Sequence, residues 1–200
     1  MTSGKPSPVR LSAGEQRIDR VSDALRFAAR AHHRQTRKDG RTPYITHPTA
    51  VMRILSSEIG VTDPDLLCAA VLHDVLEDTT RTPAQLRAHF GPRVARWVGE
   101  LTVPHKFHGP RVPDSTKTAV LVGAVGRISW PAILVKLADR VDNLRDSGHA
   151  LWSSRKRQAF RGQTREILRA VERRLRRAPP PRGLAEPIER ARRLMHSELD

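Results

Sequence analysis

Residues 63–80 read DPDLLCAAVLHDVLEDTT, and this stretch decides the fold class. Asp63 followed by Pro64 is a helix-start signal, because aspartate can cap a first turn and proline fits its first position. Apolar residues then run without interruption over residues 66–72. Such a run, apolar on every face and resumed at Val75 and Leu76, predicts a buried helix that ends within residues 77–80.

A polar cluster stands at the end of this helix, where a histidine and three carboxylates occur within six residues: His73, Asp74, Glu77 and Asp78. Burying such groups costs several kcal/mol unless a metal or another partner neutralises them. His73 and Asp74 offer a nitrogen and an oxygen ligand suited to a divalent metal. Glu77 lies on the same side of the helix, four residues after His73. The plainer interpretation is acidic residues at a helix end, with His73 hydrogen-bonded in the core.

A second apolar helix is predicted over residues 132–145, which read AILVKLADRVDNLR after Pro131. Asp139 interrupts its apolar pattern, and Asn143 follows one turn later. A carboxylate on the buried side of a helix again needs a partner. This second case favours the metal interpretation of the first cluster.

The rest of the chain is also helical in pattern, with proline-, glycine- and polar-rich connections and no convincing strand or repeat. The other predicted helices cover residues 18–33, 48–60, 82–90, 94–101, 115–125, 154–177 and 186–197. The fold class is therefore all-α, a compact helical bundle. We expect a disordered lead over residues 1–14, one domain over residues 15–177, and a proline-rich linker with a short helix over residues 178–200.

Length and composition agree with a single domain. The 200 residues are 38% hydrophobic with few aromatics, so small aliphatic side chains must build the core. The lone Cys68 lies inside the apolar run and is interpreted as core filler. The first residues lack the apolar block of a signal peptide, and no later stretch is apolar enough to span a bilayer. We expect a cytoplasmic protein.

The formal net charge of +15 admits three kinds of partner: nucleic acid, an anionic membrane surface or a polyphosphorylated small molecule. Much of the charge lies late, between Arg155 and Arg177. Because charge runs on a helix are usually solvated faces, the simplest interpretation gives this helix no partner.

Four ordered blocks of sequence resemble a known family. They are the Arg37–Lys38 loop with PYITHP at residues 43–48, HDVLEDT at residues 73–79, Phe90–Gly91, and VKLADR at residues 135–140 followed by Asn143. From about Ala24 to Phe160 the chain resembles the hydrolase domain of the RelA/SpoT homologue family, and in length its single-domain members, the small alarmone hydrolases. The resemblance implies an HD-domain bundle.

The resemblance also implies a ligand set and catalytic groups. His47, His73, Asp74 and Asp139 would ligate one divalent ion, typically manganese. Glu77 and Asp78 match the acidic pair that positions or activates the attacking water, with Glu77 as the proton acceptor. A metal lowers the pKa of bound water and polarises a phosphoryl oxygen, while a nearby carboxylate can take the proton.

Substrate contacts follow from the same resemblance. Arg37 and Lys38 match the basic pair beside the base and phosphates, Asn143 matches a polar contact, and Lys156, with Arg157 as a further candidate, matches a basic phosphate contact. Taken alone, an Arg-Lys pair is ordinary loop solvation, and Asn143 could cap its helix. The stretch 101–118 departs from the family pattern and leaves substrate preference open. Its His105 and His108 are interpreted as incidental.

The expected function is metal-dependent hydrolysis of guanosine 3′,5′-bispyrophosphate (ppGpp, and its 5′-triphosphate analogue pppGpp) at the 3′ position, giving GDP or GTP and pyrophosphate. One alternative keeps the metal but changes the nucleotide, for example to the 2′-phosphate of NADPH. Another is a nucleic-acid-binding protein that uses the basic helix, with the metal only stabilising it. The spare carboxylates Glu77 and Asp78 argue against this last alternative, because a structural site does not need them. The expected partner is therefore a guanine nucleotide rather than a membrane or a nucleic acid.

Overall fold

A computed structural model of the chain describes residues 13–103, 112–147 and 152–200. Most of the predicted lead, and the loop segment that holds His105 and His108, lie outside these residues. The described helices are α1 (Ala13–Ala31), α2 (Thr46–Arg53), α3 (Pro64–Leu72), α4 (Val75–Asp78), α5 (Pro83–Leu101), α6 (Asp114–Val125), α7 (Trp130–Ser147), α8 (Ser154–Arg177) and α9 (Arg182–Leu199). The predicted all-α class is confirmed. The only β-bridge in these segments joins Thr36 and Pro43.

The helix boundaries follow local chemistry. The Asp63 side chain accepts a hydrogen bond from the backbone of Asp65 at 2.9 Å, which caps α3 ahead of Pro64. Thr82 and Gln85 form a reciprocal capping box at the start of α5. Gly91 has φ of 85°, a left-handed conformation that glycine adopts at little cost, and it kinks α5 at the predicted break.

Several predicted helix bounds differ from the observed ones. Helix α1 begins at Ala13, inside the predicted lead, and α9 extends beyond residues 186–197 at both ends. The helix expected to end within residues 77–80 breaks after Leu72, and a short helix runs from Val75 to Asp78. The helix expected to end near Gly60 continues from α2 as a π-helical segment, Ile54–Ile59. π-helical turns and short helix breaks have a weak local sequence signal, so the sequence pattern did not predict the π-helical segment or the break after Leu72.

The core is organised around α3. All residues of its apolar run are buried, and the helix packs against α1, α2, α5 and α7. This central position puts the end of α3, and with it His73, next to α2 and α7. None of the helices in the described segments is long and apolar enough to cross a membrane.

The C-terminal helix α9 is part of the same core. It packs on α7 and α8. Arg145 on α7 hydrogen-bonds both Glu58 at 2.8 Å and Glu198 at 2.7 Å, which links the π-helical segment to α9. The side chains that α9 buries are Ile188, Ala191, Met195 and Leu199. The predicted division of the chain after Arg177 stays a prediction.

The basic helix α8 is amphipathic. Its apolar side, which includes Ile167, Leu168 and Val171, is buried. The opposite side is exposed and carries Arg155, Lys156, Arg165, Arg169, Arg173, Arg176 and Arg177. This arrangement is that of a solvated helical face.

Candidate metal centre and cleft

Three helical segments bring together two imidazoles and a carboxylate. His47 lies in the first turn of α2, His73 directly after α3, and Asp139 in the middle of α7. They are 3%, 4% and 8% exposed, and one ligand atom of each lies within 4.8 Å of the others. Asp74 adds a second carboxylate, with its Oδ2 3.1 Å from His73 Nε2 and 3.6 Å from His47 Nε2. The four residues predicted from the sequence as ligands are thus neighbours.

The break between α3 and α4 lets two adjacent residues face the same space. Consecutive side chains on one helix point about 100° apart, so an unbroken helix would separate His73 from Asp74. Asp74 has φ of −96° and ψ of −5°, outside ideal helix geometry. His73 Nδ1 lies 2.7 Å from the Ala70 carbonyl oxygen, and since that oxygen only accepts, Nδ1 carries the proton. His73 Nε2 therefore turns a lone pair toward the carboxylates.

Asp142 fixes the second imidazole in the same way. Its Oδ2 lies 2.6 Å from His47 Nδ1, so this nitrogen donates and His47 Nε2 is left facing Asp74 and Asp139. A carboxylate behind a ligating histidine holds its ring orientation and raises its basicity. No sequence pattern indicates this role directly. Asp142 lies one turn after Asp139, and its partner is 95 residues away along the chain.

The donor set fits a divalent cation. His73 Nε2 is buried without a well-aligned hydrogen bond, which is costly for a polar nitrogen unless a cation uses its lone pair. Distances between the imidazole nitrogens and carboxylate oxygens run from 3.1 Å for His73–Asp74 to 3.9 Å for His73–Asp139. Ligand atoms about 2.1 Å from one ion lie roughly 3.0–3.4 Å apart. Small movements would therefore complete a coordination shell.

Electrostatics keep the carboxylates in the form that binds a metal. Burial raises the pKa of Asp74, but His73 and His47 outweigh it and hold that pKa well below the ordinary range. Asp139 follows the same pattern. Burial raises its pKa, but Lys136 and the two histidines lower that pKa by more, so it lies well below the ordinary value. For His47, burial lowers the pKa, yet hydrogen bonds to Asp139 and Asp142 raise it to about 9. Both carboxylates are thus ionised at neutral pH.

Two further side chains orient these carboxylates. The Tyr44 hydroxyl lies 2.6 Å from Asp74 Oδ2 and 3.1 Å from Asp78 Oδ2. Asn143 Nδ2 donates to Asp139 Oδ1 at 2.6 Å. Tyr44 stands three residues before His47, so the sequence could have indicated that it lies near the site. The sequence could not have indicated that its hydroxyl contacts Asp74.

The metal centre borders a cavity of about 620 Å³. Its walls include Asp139, Asn143, Glu77 and Asp78. Glu77 Oε2 accepts a hydrogen bond from the Val103 backbone at 2.9 Å, which holds it at the end of α5. The two carboxylates predicted as catalytic thus share one cavity with a predicted ligand and a predicted substrate contact.

A second, basic cavity of about 420 Å³ adjoins the first. The two share Lys38 and Phe160 in their walls. Trp152 lies under two ammonium groups, with Lys38 Nζ 4.2 Å and Lys156 Nζ 4.7 Å from its ring centroid. Burial, followed by Lys156 and Arg37, lowers the pKa of Lys38. Two of the predicted substrate contacts, Lys38 and Lys156, therefore lie together here.

Arg37 lies apart from these cavities. Its guanidinium is 2.8 Å from Asp146 and 3.6 Å from Asp142, and it lines a separate cavity of about 320 Å³ beside His47. Its side chain is only 13% exposed. Its predicted contact with substrate stays a prediction. Arg157 donates to the Trp152 carbonyl oxygen.

Comparison with known proteins identifies the family. The sequence profile of the HD domain matches residues 24–175. The chain belongs to the HD-domain family. This HD-domain chain is 38% identical over 154 residues to the human guanosine-3′,5′-bis(diphosphate) 3′-pyrophosphohydrolase MESH1, which covers 75% of the chain and 83% of the human protein. It is 37% identical over 163 residues to the bifunctional (p)ppGpp synthase/hydrolase SpoT of Escherichia coli, covering 80% of this chain and 22% of that one.

A solved structure supports the same grouping. The HD-domain chain superposes with a TM-score of 0.70 and 28% identity on a metazoan ortholog of SpoT described as hydrolysing ppGpp, covering 93% of this chain and 97% of that one. The predicted membership in the RelA/SpoT homologue family, in its single-domain form, is confirmed.

Proposed function

We propose that this protein hydrolyses guanosine 3′,5′-bis(diphosphate) and its 5′-triphosphate analogue at the 3′ position, releasing pyrophosphate and GDP or GTP. The observation that carries the proposal is the buried group His47, His73 and Asp139, beside a cavity that also holds Glu77. The adjoining cavity is lined by lysines, as a ligand with two diphosphates requires. The related human and metazoan proteins are described as ppGpp hydrolases, which supports this substrate.

His47, His73, Asp74 and Asp139 would hold one divalent ion, for which we propose manganese. When bound, such an ion lowers the pKa of a water molecule and polarises a phosphoryl oxygen. Mixed imidazole and carboxylate donors accommodate manganese.

Glu77 is proposed to take the proton of the attacking water. The oxygen of that water forms a bond to the phosphorus next to the ribose, the bond from phosphorus to the 3′ oxygen breaks, and the 3′ oxygen ends as a hydroxyl. The Val103 N–H fixes one oxygen of Glu77. Asp78, beside the Tyr44 hydroxyl, would orient the same water.

The basic cavity is proposed to receive the rest of the nucleotide. Lys38 and Lys156 would pair with phosphate oxygens, and burial together with neighbouring cations favours an anion beside Lys38. Asn143, which lines the first cavity, would contact the ribose end while it orients Asp139.

The experiment is a nucleotide panel assayed with one manganese-loaded preparation. It contains ppGpp, pppGpp and NADPH, with pyrophosphate, phosphate and nucleoside products measured separately. We expect pyrophosphate and GDP from ppGpp, and loss of turnover on chelation. His73→Ala should abolish activity, while His89→Ala, an exposed histidine on α5, should leave it unchanged. The proposal fails if active protein leaves ppGpp intact and cleaves another member of the panel.

Glu77→Gln tests the assigned proton acceptor. Loss of a general base lowers turnover by about 10²–10⁴-fold. Metal content, measured by elemental analysis, should remain that of the wild type, because Glu77 is not among the proposed ligands. A Glu77→Gln enzyme with full activity would remove this assignment.

A further inference from the structure

Arg140 is a buried cation that the proposed chemistry leaves unused. The residue is 4% exposed and follows Asp139 on α7. Its guanidinium stacks on the Phe160 ring, 4.4 Å from the centroid, and Nη2 donates to Gln163 Oε1. No carboxylate in the described segments forms an ion pair with it, and its buried Nε has no hydrogen-bond partner.

A directional chain of hydrogen bonds fixes the guanidinium. Thr118 Oγ1 donates to the Asp114 carbonyl oxygen at 2.7 Å, so it can accept from Gln163 Nε2 at 3.3 Å. The Gln163 amide is thereby turned with its oxygen toward Arg140. Three helices, α6, α7 and α8, thus hold Arg140 in one orientation, and Nη2–Gln163 is its one hydrogen bond to the described residues.

Arg140 lines the cavity that borders the candidate metal centre. Asp139 and Glu77 line the same 620 Å³ cavity, whereas Trp152 and Lys156 line only the adjoining basic cavity. A substrate group beside Arg140 would therefore share its cavity with Asp139 and Glu77.

A desolvated guanidinium with one neutral hydrogen bond and one aromatic contact is poorly compensated. An arginine side chain stays cationic at neutral pH even when it is buried. A planar guanidinium with spare donors matches the oxygens of a phosphate or diphosphate in a bidentate geometry.

We propose that Arg140 binds the 3′-diphosphate of the substrate and holds it as it departs as pyrophosphate. The proposal rests on the proposed function for the identity of the substrate, but the binding of a diphosphate anion can be measured without turnover. The competing role is structural, in which Arg140 only joins α7 to Phe160 and Gln163.

Inorganic pyrophosphate is the probe. Its Kd is measured by calorimetry at fixed manganese, and its inhibition constant is measured against ppGpp, for the wild type, Arg140→Met and Arg140→Lys. The matched control is Arg174→Met, since Arg174 also stacks on an aromatic ring, 4.7 Å from the Trp130 centroid, but lines neither cavity. We expect both constants to rise at least about tenfold for Arg140→Met and less for Arg140→Lys, with no change for Arg174→Met.

GDP separates the two ends of the substrate. It carries a 5′-diphosphate and no 3′-diphosphate, so its inhibition constant should be the same in Arg140→Met and the wild type. An unchanged pyrophosphate constant in a folded Arg140→Met protein overturns the proposal in favour of the structural role. A rise for GDP equal to that for pyrophosphate overturns the assignment to the departing group. If Arg140→Met does not fold, Arg140→Lys decides by the same criteria.

The two proposals fail separately. Pyrophosphate binding that depends on Arg140, in a protein that does not cleave ppGpp, would remove the proposed substrate and leave the anion site. Cleavage of ppGpp, together with pyrophosphate binding constants that are the same in the wild type and Arg140→Met, would leave the proposed function and remove the role of Arg140.

Discussion

Replacing Asp142 by asparagine should weaken metal binding without touching a ligand. The structure places Asp142 Oδ2 2.6 Å from Nδ1 of His47, whose ring is 3% exposed. Asparagine keeps the size and can still accept a hydrogen bond, but it loses the negative charge, and bonds to charged groups are about twice as strong as neutral ones. Loss of a partner behind a ligating histidine costs about 10–100-fold in metal affinity, or about 1.4–2.7 kcal/mol.

The measurement is competition for manganese against a chromophoric chelator, with thermal unfolding of the metal-free proteins as a check on folding. Asp146→Asn is the matched control, because Asp146 lies one turn later on α7 and binds Arg37 at 2.8 Å rather than His47. We expect the control to stay within about threefold of the wild type. Equal manganese affinity in Asp142→Asn and the wild type would refute the reasoning.

Three further outcomes are expected. Tyr44→Phe removes the hydroxyl that orients Asp74, and should lower kcat about tenfold while unfolding free energy changes by about 1 kcal/mol or less; a kcat equal to that of the wild type would contradict this. Met195→Ala, at a fully buried position of α9, should cost about 2–5 kcal/mol in urea unfolding, against less than about 0.5 kcal/mol for the exposed Ser197→Ala. Hydrogen bonds from Arg145 lower the pKa of Glu58 in the folded protein. The ionised Glu58 therefore stabilises the fold above its unfolded pKa, and this stabilisation is lost as the pH falls through its folded pKa. Thermal unfolding should show the wild type more stable than Glu58→Gln near neutral pH but not in acid, and a difference that is constant with pH would contradict this.

Much of the fold could be predicted because its determinants are local. The basic helix was expected over residues 154–177 and is observed over Ser154–Arg177, capped by Ser153 and followed by prolines. The kink at Gly91 was likewise predicted, from the adjacent Gly91 and Pro92. The extent of α9 was harder to predict, since its apolar face is short and its length depends on docking against α7.

The candidate site divides in the same way. The neighbourhood of His73 and Asp139 followed from the cost of burying polar groups on apolar helices. The partners of Asp142 and Arg140 could not be predicted, because side chains two residues apart on a helix point to different sides, and the packing of that helix decides what each side meets. Asp142 turns to α2, whereas Arg140 turns to α8.

The break after α3 places His73 and Asp74 beside donors from two other helices, His47 on α2 and Asp139 on α7. Most of the domain lies between His47 and Asp139 in the sequence. No fragment containing only one of these segments can present the full donor set. Ion retention is therefore a readout of complete folding. A core substitution as remote as one in α9 lowers apparent metal affinity once it leaves a substantial fraction of chains unfolded, because that affinity scales with the folded fraction.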